Sequence, residues 1–134
     1  MKIKDIYQNK KAVFSFEIFP PNENFSSEKL YGVIDELSIQ KPDFISVTYG
    51  AGGTTKGGTI EMASYIKNKL NIEAVTHLTC VGSRKDEIEN FLNELERNNI
   101  ENILALRGDI PKDQDESIYD RGDFLYASDL IKAV

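Results

Sequence analysis

Ile103-Leu104-Ala105-Leu106-Arg107-Gly108-Asp109-Ile110-Pro111 decides how the chain is read. Its four leading apolar residues suit a buried strand. The pattern breaks at Arg107-Gly108-Asp109, and Pro111 ends it. A cation, a flexible residue and an anion therefore stand together where a strand would surface. In α/β folds that carboxyl end of the strand is where chemistry is kept.

Working outward, three earlier stretches end in the same manner. Val13 to Phe19 is rich in β-formers, carries Glu17 and stops at Pro20-Pro21, because proline cannot donate to a ladder. Phe44 to Thr48 runs into Tyr49-Gly50-Ala51-Gly52-Gly53. Glu73 to Thr79 carries His77. Between the strands, apolar residues recur at helical spacing. Leu30, Val33, Ile34 and Leu37 mark one inner face. Ile60, Ala63, Ile66 and Leu70 mark a second, in a helix from about Thr59 to Leu70 closed by a left-handed Asn71. Ile88, Phe91, Leu92 and Leu95 mark a third, with Ser83 and Asp86 as the expected start in near capping-box style. Lys112 to Asp123 reads as a long polar loop, and a fourth helix begins near Ser128. Residues 1–12 are polar except Ile3, Ile6 and Tyr7; Ile3 and Tyr7 stand four apart, as in a short helix that could cover the open bottom of a barrel.

The strands begin roughly thirty residues apart, the length of a βαβ repeat. The reading is a single α/β unit over residues 1–134: four parallel βα repeats, the last helix incomplete. Periodicity leaves open whether the sheet is part of a barrel or doubly wound. A (β/α)8 barrel takes about 250 residues, so the expectation is a truncated or naturally half-length barrel.

Bulk numbers exclude several functions. The chain has 134 residues, 40% hydrophobic and 28% charged, with net charge −6 and a pI near 4.8. Such acidity argues against non-specific nucleic-acid binding, which needs a basic surface. No apolar run reaches membrane-span length, and the N-terminus lacks a signal-peptide core. One cysteine, Cys80, and one histidine, His77, argue against an internal disulfide and a dedicated metal site. A cytoplasmic location is the simplest expectation.

Four stretches could carry chemistry. Glu17 lies in sequence among Phe14, Phe16, Ile18 and Phe19. Desolvation there would disfavour its charged form and suit a general acid; an outward-facing residue paired with a lysine is an equal alternative. The loop from Gly50 to Gly58 has five glycines, which let a backbone approach a ligand. It is not a Walker loop, because Gly58 stands where lysine is required; a plain flexible βα loop is the simpler reading. His77 alone reads as a hydrogen-bonded structural residue, and Cys80 as a small buried thiol. Arg107-Gly108-Asp109 also spells a cell-adhesion tripeptide, discounted here because it is fused to an apolar strand.

Taken together, Phe14-Ser15-Phe16-Glu17-Ile18-Phe19-Pro20-Pro21, Ser46-Val47-Thr48-Tyr49-Gly50-Ala51-Gly52-Gly53-Thr54-Thr55, His77-Leu78-Thr79-Cys80, Leu106-Arg107-Gly108-Asp109 and Leu125-Tyr126-Ala127-Ser128-Asp129-Leu130 resemble, in order, the N-terminal half of the methylenetetrahydrofolate reductase family. The resemblance implies a (β/α)8 TIM barrel with FAD at the strand carboxyl ends. It implies NADH or NADPH as reductant and 5,10-methylenetetrahydrofolate as substrate, reduced to 5-methyltetrahydrofolate in one-carbon and methionine metabolism. By motif, Glu17 would be the general acid that helps open the folate ring, and Asp109 would sit beside flavin and folate. Thr48, Tyr49, Ala51, His77, Arg107, Gly108, Asp109, Tyr126 and Ala127 would contact FAD. Open sheet edges imply self-association, and weak or absent FAD binding and no turnover are expected of these 134 residues alone. Two alternatives are a non-catalytic, self-associating half-barrel and a small α/β binder of phosphorylated ligands.

Overall fold

The computed structural model describes residues 1–21, 26–49, 56–110 and 115–134, with the side chains of residues 56, 57 and 119 left aside. Among the described residues, four strands form one parallel sheet: β1 (Ser15–Ile18), β2 (Phe44–Val47), β3 (Glu73–Thr79) and β4 (Asn102–Leu106). Spatial order follows sequence order, β1-β2-β3-β4. A doubly wound sheet reverses direction at a switch point; this one does not. The open question is thereby settled in favour of a partial α/β barrel.

Helices follow each strand: α2 (Ser27–Ser38), α3 (Lys56–Ser64), α4 (Lys85–Arg97) and α5 (Ala127–Ala133). Strand residues alternate between two faces. Ile18, Ile45, Val47, Ala74 and Leu78 are buried and join one core with Leu30, Ile34, Ile60, Ala63, Ile66, Ile88, Phe91 and Leu95. Each larger side chain among them contributes about 2 kcal/mol through burial, and the alanines less. The opposite face carries Glu17, Ser46, Val75, His77, Asn102 and Leu104 and lines a trough of about 700 Å³. The sheet thus divides its two jobs: one face holds the fold, the other is open to a ligand or a further layer.

The short helix α1 (Ile3–Asn9) sits at the amino end of the strands. Asn102 latches it there: its Oδ1 accepts from the Ile3 N–H at 2.9 Å and its Nδ2 donates to the Met1 carbonyl at 3.0 Å. The Glu73 carboxylate, nearly buried, accepts from the Met1 ammonium at 2.8 Å and from Lys67 Nζ at 2.7 Å. Burial works against the Lys67 charge, yet Glu73 holds its pKa above the ordinary value. Buried charges persist only when paired in this way. The expected short helix is present, but Ile6 is its buried residue and Tyr7 is exposed.

Other local expectations shift for physical reasons. α3 starts at Lys56, three residues early, and widens into a π-helical turn over Tyr65–Lys69 before the left-handed Asn71. Val33 is exposed, because Leu30 and Ile34 suffice to seat α2. α4 begins one residue later than the Ser83–Asp86 pattern suggests: Glu87 reaches back to the Arg84 N–H at 2.9 Å, and Asp123 accepts from the Lys85 N–H at 2.7 Å. The polar loop before α5 contains a 3₁₀ turn, Glu116–Arg121, anchored by buried Ile118.

Asp43 ties the approach of β1 to β2, accepting from Lys10 Nζ and from the Phe14 N–H at 2.9 Å. The hydrogen bond from Lys10, followed by that from Phe14, lowers its pKa below the ordinary 3.8. A depressed carboxylate contributes stability above its unfolded pKa and loses it as pH falls through the folded value. Urea unfolding across the acid range should therefore show a loss of stability that is shallower in Asp43→Asn. Identical acid profiles would contradict the pairing.

Candidate active site

Three adjacent strands bring together one polar cluster. The register pairs Glu17 with Ser46 and Ser46 with Val75, and His77 lies two residues beyond Val75 on the same face. Glu17 Oε2 lies 3.5 Å from the donating Ser46 Oγ and 3.3 Å from His77 Nε2. The His77 side chain is 9% exposed and that of Glu17 54%. The His77 nitrogen is buried yet has no aligned hydrogen bond among the described residues. A buried, unsatisfied polar atom is costly and calls for an explanation.

The exposure of Glu17 corrects one expectation. Phe16 and Ile18 flank it in sequence, but strand alternation turns them to the other face, and Phe14 and Phe19 are themselves largely exposed. These neighbours do not bury the carboxylate. Among the described residues no lysine pairs with it; the titratable side chain beside it is His77.

The second group lies at the exit of β4. Gly108 has φ +88°, the left-handed region that favours glycine. A Cβ there would meet Val81 Cγ1 at 2.8 Å and Thr79 Cβ at 2.9 Å. The close approach is fixed by main-chain bonds, since Cys80 N donates to Leu106 O at 3.1 Å and Val81 N to Arg107 O at 2.8 Å. Glycine thus lets the exits of β3 and β4 join. Arg107 then stands with its guanidinium 5.5 Å from the centre of the Tyr126 ring. That separation is within cation–π range, so the start of α5 is drawn to the same edge. Asp109 is exposed beyond them, and Ala127 is the first residue of α5.

After β2, Thr48 is bound to β1 and α3: its N–H donates to Ile18 O at 2.9 Å, and its carbonyl accepts from Thr59 Oγ1 at 3.1 Å. Tyr49 packs edge-on against Phe91 of α4 at 5.5 Å. Burial, then the Glu87 charge, pushes its pKa up to about 12. Its ring serves the helix interface and does not join the Glu17 cluster. Ala51 and most of the Gly50–Gly58 loop lie outside the described residues. Cys80 is fully buried, and burial raises its pKa. Among the described residues no cluster of His, Cys, Asp and Glu could hold a metal, and no helix is long and apolar enough to cross a membrane.

Ser46 is the participant that residue type alone did not single out. Period-two alternation places it on the face of Glu17, and the pairing of β1 with β2 brings the two side by side. The exits therefore offer donors, a guanidinium and aromatic surface on one edge of the sheet. That set suits a planar ligand carrying anionic groups, with a carboxyl–imidazole pair facing it from the trough.

Comparison with known proteins adds ancestry to this geometry. Residues 2–134 match the family model for methylenetetrahydrofolate reductase. A methylenetetrahydrofolate reductase (NADH) of Arabidopsis thaliana is 38% identical over 133 residues, covering 99% of this chain and 22% of the relative. The 5,10-methylenetetrahydrofolate reductase of Escherichia coli is 38% identical over 117 residues, 87% of this chain and 38% of the relative. A methylenetetrahydrofolate reductase of Schizosaccharomyces pombe is 36% identical over 125 residues, 92% of this chain and 21% of the relative. The chain thus spans well under half the length of these relatives.

Proposed function

Because the chain belongs to the methylenetetrahydrofolate reductase family, we propose that it supplies the strand-exit half of a flavin-dependent site that reduces 5,10-methylenetetrahydrofolate to 5-methyltetrahydrofolate. The observation that carries this reading is the meeting of Glu17 and His77 on one sheet face, at positions inside the family match. FAD, reduced by NADH or NADPH, would supply the hydride. The chain's residues fit such a cofactor by their chemistry: Arg107 suits an anionic group, Tyr126 a planar one, and Gly108 lets the exit of β4 lie close to that of β3. Thr48, His77, Asp109 and Ala127 would complete the contacts on this side, together with Ala51 and Tyr49 from the β2 loop.

Glu17 would give a proton to a folate nitrogen as the ring opens, a role its access to the trough permits. Asp109 would sit beside flavin and pterin and act through its charge. A phosphate-binding module is the weaker reading, because it gains nothing from a carboxylate at Glu17.

The chain by itself would hold FAD weakly and would not turn over. A flavin absorption spectrum that changes saturably on adding the chain supports the site. Substrate-dependent NADH oxidation by the 134 residues alone would overturn the half-site part. Leu104 and Leu106 are partly exposed on β4, which supports self-association through this edge; a single monomeric species in sedimentation would count against it.

A further inference from the structure

We propose that Glu17 and His77 form a proton-sharing pair across β2, in which His77 positions the Glu17 carboxyl and replenishes its proton. The inference uses the reductase reading only for the identity of the final proton acceptor. The pair itself stands on geometry.

β1 and β3 are not paired with each other; each is hydrogen-bonded to β2. Ser46, the β2 residue that lies between them, has a short side chain, so a glutamate and an imidazole can meet over it. They do so at 3.3 Å between Oε2 and Nε2, with Ser46 Oγ 3.5 Å from the same carboxylate oxygen. The asymmetry of burial matters. His77 is nine-tenths buried, and its Nε2, 3.3 Å from Glu17 Oε2, makes no hydrogen bond among the described residues. Glu17 is half exposed to the trough. One member is fixed and sheltered, and the other can reach a ligand.

Among the described residues, few other charges line the trough around the pair. From β2 the trough receives Phe44 and Ser46, from β4 Asn102 and Leu104, and from β3 Val75. The remaining titratable residues lining it are Lys2, Lys4 and Glu101, and Glu101 is engaged by the Met1 ammonium at 2.8 Å.

The proton accounting is closed. In the protonated imidazole the Nε2–H bond breaks as an O–H bond forms at Oε2, leaving a neutral ring beside a neutral acid. When Glu17 passes that proton to a ligand nitrogen, the carboxylate returns. The imidazole then takes a proton from solvent, and no other reactant is needed. His77 is a positioning residue here, acting through Glu17.

The chain has one histidine, so its ring signals can be followed by NMR without ambiguity in the cofactor-free protein. Wild type is expected to show two steps on acid titration: the ring's own, and one reporting protonation of the neighbouring carboxylate. Glu17→Gln should keep the first and lose the second. Glu17→Asp, one methylene shorter, should restore part of it. Backbone amide spectra across the titration establish that the chain stays folded. A single step in wild type, or a second step that survives in Glu17→Gln, overturns the pair. The readout needs neither flavin nor folate. Coupling without any flavin binding would therefore sink the reductase reading alone, and flavin binding without coupling would sink only the pair.

Discussion

Gly108→Ala is expected to destabilise the chain by about 3 kcal/mol. Two separable costs contribute. An alanine at φ +88° occupies a conformation that L-residues avoid, at about 1–2 kcal/mol. Its Cβ would also lie 2.8 Å from Val81 Cγ1 and 2.9 Å from Thr79 Cβ. The second contact is with an atom next to the backbone of β3 and cannot swing away. Overpacking of that kind costs about 1–3 kcal/mol. A domain of this size has about 5–15 kcal/mol of stability in total. Urea unfolding of the variant against wild type measures the loss; a change under about 0.5 kcal/mol, typical of surface substitutions, would mean that the β3–β4 junction is not as described. The result bears on function as well, because the same junction places Arg107 beside Tyr126.

Leu78→Ala should cost a comparable amount, about 3 kcal/mol, by a different mechanism. Leu78 is fully buried on the helix-facing side of β3, the strand flanked by β2 and β4. Truncation there forfeits transfer free energy and leaves a cavity that packed neighbours fill only in part. Leu104, one residue earlier on β4 than the Leu78 partner Ala105, points to the trough and is 44% exposed. Leu104→Ala should therefore cost far less. Equal losses for the two leucines would mean that the two faces of the sheet have been assigned the wrong way round.

The contrast between these leucines shows what the sequence could and could not convey. Ile103-Leu104-Ala105-Leu106 reads as a uniformly apolar strand, and a strand it is. Yet Leu104 and Leu106 are partly exposed while Leu78 is sealed, because composition does not say which face a helix covers. Strand number, order of elements and most of the helical inner faces, Val33 excepted, were legible, since each rests on periodicity within one segment. Glu17 shows the limit: local apolar neighbours suggested burial, but alternation sends Phe16 and Ile18 away from it. Its true neighbours, Ser46 and His77, lie 29 and 60 residues further along the chain, and only register reveals them. Asp123 capping α4 at Lys85 is the same kind of fact. A contact between distant segments leaves no pattern in either one.

The most direct test of the account is the visible difference spectrum of FAD titrated with the chain, in wild type and in Arg107→Ala. Arg107 is exposed at the β4 exit, so its replacement leaves the core intact. If the strand exits form half of a flavin site, wild type gives a weak, saturable change in the flavin bands, and Arg107→Ala needs distinctly more chain to reach it. A flavin spectrum untouched by wild-type chain, or one perturbed equally by both proteins, would contradict the claim that these exits hold the cofactor.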